Sequence, residues 1–115
     1  MKILFTICIL FSTLIMNAQT SLSGIWNMGQ DNTKIEITGS NGVYQGKIAS
    51  SDNANAKIGS LILKDVKLVN GIWEGSLYSP QNRKWFDAVL KVEGRQLLVT
   101  VRSGWRSKTL KWSKE

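Results

Sequence analysis

The amino-acid sequence predicts an all-β domain, and three observations carry that prediction. Short apolar alternations at period two recur through the chain after its first eighteen or so residues, the pattern of strands with one buried face. The breaks between them are turn residues, among them Asn41-Gly42 and Asn70-Gly71, which supply the positive φ that tight hairpins require. No run shows helical periodicity beyond one turn, and the chain holds ten glycines and a single proline.

Taken in order, residues 22–28 read as the first strand, and Gln30-Asp31-Asn32 turns the chain into residues 33–38. There Ile35 and Ile37 share one face against Lys34 and Glu36. The third strand, 43–49, places Tyr44, Gly46 and Ile48 together, and the polar stretch 50–56 follows as an exposed loop. Leu61 and Leu63 share one parity while Val66 and Leu68 share the other. A bulge near Lys64-Asp65 reconciles them. Residues 72–78 form a strand, and Pro80 presets φ in the turn after it. Residues 85–92 put Phe86, Ala88, Leu90 and Val92 on one face; 96–102 bury Leu97, Val99 and Val101; 105–112 complete the set. Eight strands on short connections suggest an antiparallel up-and-down meander. Closing it into a lipocalin-like barrel removes both open edges, and an open sandwich is the alternative.

The first eighteen residues differ from the rest. Met1-Lys2 is a short basic segment, residues 3–16 are apolar apart from Thr6, Ser12 and Thr13, and Ala18 supplies a small residue at a cleavage position. This three-part form is that of a secretory signal peptide, and the run is shorter than the roughly 20 residues a membrane-spanning helix needs. The expected organisation is a signal peptide over 1–18, then one barrel domain over 19–115 in the periplasm or outside the cell. The only cysteine, Cys8, lies mid-run after Ile7, which does not suit a lipid anchor.

Fifteen Lys and Arg stand against eight Asp and Glu; without Lys2 the net charge is +6. That balance favours anionic partners, and export argues against nucleic acid; charges spread singly along the chain are more often a solvated surface that discourages edge aggregation. With no His, and no Cys after the signal, neither a hydrolytic triad nor a zinc site is expected. Glu74 and Asp87 fall on the outward parity, where a surface charge outweighs glycosidase chemistry. Asp52-Asn53-Ala54-Asn55 is too poor in carboxylates for calcium. The expectation is a non-enzyme without cofactor or metal.

Several short pieces, in their order, resemble one bacterial family. They are Gly24-Ile25-Trp26, Gly46-Lys47-Ile48, Gly59 with Leu61-Ile62-Leu63, Trp73-Glu74-Gly75, Tyr78-Ser79-Pro80, and Lys84 with Phe86-Asp87-Ala88. Residues 97–102 and Trp112 continue the series. The chain thereby resembles the domain-of-unknown-function 2147 family of exported Gram-negative proteins, over essentially everything after the signal. Ser79 and Arg83 stand where that family usually has Asp and Gly. The resemblance implies a small lipocalin-like barrel and no activity. Gly24-Ile25-Trp26 also resembles the lipocalin Gly-x-Trp opening, whose Trp plugs one barrel end beneath a basic side chain of the last strand. Arg106, Lys108 and Lys111 are the candidates for that cation.

Five Trp is high for a chain of this length. They serve either to fill the barrel or to line a mouth. In the second case Trp73, Tyr78, Phe86 and Trp105 form apolar walls, and Arg102 pairs with the anionic head of a small apolar or amphiphilic ligand. Strand direction places the mouth at the Tyr78 and Trp105 end, with Ser79, Arg83 and the turn near Asn41. The alternative is an envelope adaptor or structural protein whose basic and aromatic turn, with Arg83, Lys84 and Trp85, contacts an anionic polymer or a protein partner.

Overall fold

The computed structural model describes residues 21–115, so the expected signal peptide lies outside the described residues. Eight strands follow: β1 Gly24–Asn27, β2 Lys34–Ser40, β3 Val43–Ser50, β4 Leu61–Val69, β5 Ile72–Ser79, β6 Lys84–Glu93, β7 Gln96–Ser103 and β8 Arg106–Lys114. They form a closed antiparallel barrel in sequence order. The expected class and meander are what the chain adopts; the sandwich is not. No helix among the described residues is long and apolar enough to cross a membrane.

The turns explain the order. Asn41 and Gly42 have φ of 56° and 81°, and Asn70 and Gly71 have 51° and 82°. Two successive positive φ values define the hairpin turn whose twist matches its strands. In β4 the register shifts between Lys64 and Lys67, and Asp65 has φ 55°. The extra residue lets Leu63 and Val66 both reach the core, as their conflicting parity requires.

The expected interior is largely the observed one. Ile35, Ile37, Leu90, Leu97 and Val99 are buried, and Val92 and Val101 pack half-buried against them. Trp26 and Trp112 are the largest fully buried side chains. Two glycines show how tightly the middle is packed. A Cβ on Gly46 would sit 3.0 Å from Ile35 Cγ2, and one on Gly75 would sit 2.6 Å from Val66 Cγ2 and 2.8 Å from the Lys64 carbonyl. The wall leaves no room for a methyl group at Gly75, and at Gly46 one fits only if Ile35 gives by a few tenths of an ångström.

Most strand boundaries shift by one or two residues from expectation, and the shifts in β1 and β8 bear on the barrel's closure. β1 begins at Gly24 because Leu22 is not paired; it tucks under the barrel, fully buried, and its carbonyl accepts the Trp26 Nε1–H at 3.0 Å. β8 begins at Arg106, because Gly104 and Trp105 form the two-residue turn after Ser103. β1 also meets β8 through only two register pairs, Trp26 with Lys114 and Asn27 with Ser113. This seam is extended by the Glu115 N–H donating to the Ile25 carbonyl at 3.0 Å.

Candidate functional site

In an up-and-down barrel alternate turns share an end. The turns after β1, β3, β5 and β7 lie at one end, and those after β2, β4 and β6 lie at the other. Tyr78, Ser79, Arg83, Arg102 and Trp105 therefore share an end, as expected. The turn near Asn41, which follows β2, belongs to the opposite one.

The five expected ligand residues do not converge. Phe86 alone has the inward parity at the expected end: it pairs with buried Leu77 and lies two residues from buried Ala88. Tyr78 follows buried Leu77 and so takes the outer face. Its ring meets Trp85 edge-on at 5.3 Å, and Lys64 Nζ lies 4.2 Å from the Trp85 ring centre. Arg102 follows half-buried Val101 and projects outward beside Asp87 and Ser107, its cross-strand partners. Trp73 stands at the other end, packed edge-on against Tyr44 with ring centres 5.1 Å apart. Trp105 is 88% exposed at the tip of the β7–β8 hairpin, with Arg106 Cζ 5.0 Å from its ring centre. The strict alternation that makes the barrel separates these residues.

Parity brings a different set to the inner wall. Counting back from buried Trp112 and half-buried Leu110, Lys108 and Arg106 continue the inward row of β8. Lys84 does the same on β6, with its Nζ 5.8 Å from the Phe86 ring centre. Lys84, Arg106 and Lys108 thus continue, as exposed side chains, the rows that hold Phe86 and Leu110, with Lys108 directly opposite Val101. Counting two-residue steps from Trp112 on β8 and from Leu90 on β6 would have found them. Around the β5–β6 and β7–β8 turns, residues 78–87 and 101–108 carry Arg83, Lys84, Arg102, Arg106 and Lys108 against one carboxylate, Asp87, which stands on the outer face beside Arg102. The ion pairs among the described residues, Lys34 with Glu115 and Lys91 with Glu93, lie elsewhere.

The cation over Trp26 is Lys114, at 4.7 Å from the ring centre, and none of Arg106, Lys108 or Lys111. Antiparallel pairing sets Trp26 against Lys114, whereas Arg106 and Lys108 lie toward the far end of β8 and Lys111 has the outward parity. The Lys114 ammonium also donates to the Ser23 carbonyl at 2.8 Å.

A groove of about 400 Å³ lies along β2, β3 and the β4 bulge, lined in part by Thr38, Ser40, Val43, Gln45, Lys64 and Asp65. The side chains of Thr38, Ser40, Val43, Gln45 and Lys64 have the outward parity, so the groove opens on the barrel exterior. Glu74 and Asp87 also stand on the outer face, opposite Val89 and Ser76.

Fold and site together define a small antiparallel barrel with a packed middle, a Trp plug and one cationic end. Comparison with protein-family models, curated proteins and solved structures found no match to this chain.

Proposed function

We propose that this protein is a non-enzymatic, exported binding module that holds an anionic component of the cell envelope against its Trp105 end. The observation that carries the reading is the unbalanced cationic set of Arg83, Lys84, Arg102, Arg106 and Lys108 around an 88% exposed Trp105. Large exposed aromatics flanked by cations suit a surface with phosphate or carboxylate groups and apolar material beneath. The packing around Gly46 and Gly75 favours contact at the rim over a ligand held deep inside. The signal-like residues 1–18 and the resemblance to the domain-of-unknown-function 2147 family belong to the same reading.

A shallow variant has its own support. Phe86, Val101 and Leu110 give the inner wall an apolar patch beside Lys84 and Lys108, which suits a small amphiphile with its head at the rim.

Titration with phosphatidylglycerol vesicles, soluble polyphosphate and dodecyl phosphate, at low and raised salt, tests both. Binding that weakens with salt is expected. It should fall about tenfold or more, over 1.4 kcal/mol, when Lys84→Gln and Lys108→Gln are combined. Trp105→Ala should weaken the vesicle interaction while leaving the polyphosphate one in place. If none of the three probes changes tryptophan fluorescence, melting temperature or sedimentation, the proposal fails.

A further inference from the structure

Among the described residues, the β1–β8 seam leaves most of β8 without a strand neighbour on one side. β8 is nine residues long and pairs with β7 along nearly all of it, yet β1 reaches it only at Ser113 and Lys114. The direction of its backbone groups follows from two hydrogen bonds. Lys114 N–H donates toward β7, to the Arg95 carbonyl at 2.8 Å, and Glu115 N–H donates toward β1, to the Ile25 carbonyl. Because backbone groups alternate along a strand, Ser107, Thr109 and Lys111 present their N–H and C=O to the open side. Among the described residues no backbone partner meets them.

We infer that this free edge of β8 takes an extended acidic segment of a partner protein as an added strand. Strand addition is a known mode of peptide recognition, in which the main-chain ladder supplies affinity and alternate side chains supply specificity. The five residues from 107 to 111 give the ladder a length of about 17 Å at the usual strand rise. Arg106 and Lys108 would meet every second side chain of the added strand from the inner row, and Lys111 would meet the others from the outer face. β8 itself carries no carboxylate.

Charge selects the occupant. A second copy pairing through the same edge would gather Arg106, Lys108 and Lys111 of both copies along one seam, and charges of this kind are how natural edges discourage self-association. A lipid or polysaccharide surface has the charge but lacks the amide ladder. An acidic extended peptide supplies both, and this site goes beyond the rim contact proposed above.

The test uses the exported protein, a labelled peptide alternating Asp and Val, and three controls: its Lys-Val counterpart, a form N-methylated on alternate amides, and Lys108→Glu protein. Binding read by fluorescence anisotropy should be confined to the Asp-Val peptide and should shift the amide resonances of Ser107, Thr109 and Lys111. N-methylation on the pairing side should abolish it, and Lys108→Glu should weaken it about tenfold or more. The wild-type protein carries the N-methyl arm, so a folding defect does not obscure it. Equal binding of the N-methylated peptide would reduce the contact to surface charge and overturn the inference. Absence of peptide binding, or a stable dimer by sedimentation whose amide shifts map to this edge, would overturn it as well.

Discussion

Lys114 joins two requirements at one point, since its ammonium lies over the Trp26 indole and also satisfies the Ser23 carbonyl. Gly24 makes room for it: a Cβ there would fall on the ammonium, and its φ of 135° is strained for any other residue. Gly24→Ala should therefore lower stability by about 1–3 kcal/mol, the sum of a strained φ and a displaced cation, read from the urea midpoint. Leu97 is fully buried, so Leu97→Ala should cost about 2–5 kcal/mol in the same measurement. Trp105→Ala should change stability by no more than about 0.5 kcal/mol, because the ring buries almost nothing. The Gly-x-Trp pattern disclosed the plug and the basic character of its cover. It did not disclose the residue, because reading the last strand as ending at Trp112 left Lys114 outside.

Strand parity was the most legible feature of this sequence. The alternation of Ile35 and Ile37, of Leu97 and Val99, and the broken parity from Leu63 to Val66 each translate directly into burial. The candidate site was legible only in part. Gathering Tyr78, Arg102 and Trp105 at one end follows from strand order, but whether side chains meet depends on parity, which sends Tyr78 and Arg102 outward. The brevity of β1 was hidden for another reason: Leu22 and Met28 are as apolar as strand residues but serve the barrel end and the adjoining turn. At the seam, hydrogen bonds from Lys34 and then Asn27 hold the Glu115 carboxyl below its ordinary value of 4.5. A lowered folded pKa means the contact supports the seam above the ordinary value and is lost as pH falls through the lowered one. Hydrogen exchange should show protection of the Ile25 and Glu115 amides, relative to Val99, declining as pH falls below about 4.5. In Glu115→Gln protein that pH dependence should be absent.

The whole molecule divides into a packed, uncharged middle and a cationic end, with no buried polar side chain among the described residues. Binding to anions at that end should show a steep loss with added salt, whereas the melting temperature should change little, because the core is insensitive to screening. The short seam has a further consequence, for the order in which the barrel is built. Most neighbouring strands are joined by hairpins of a few residues, but Asn27 meets Glu115 across 88 residues of chain. Loop closure over that distance costs about 2 kcal/mol more than closing a ten-residue turn, and the ladder that repays it is short, two residue pairs and the Glu115 bond to Ile25. Closure therefore comes last, when β2 to β8 have already curled and hold β8 beside the waiting first strand. The first strand in the chain is thus the last to be locked, and the finished barrel cannot exist until residues 113–115, the end of the sequence, are in place.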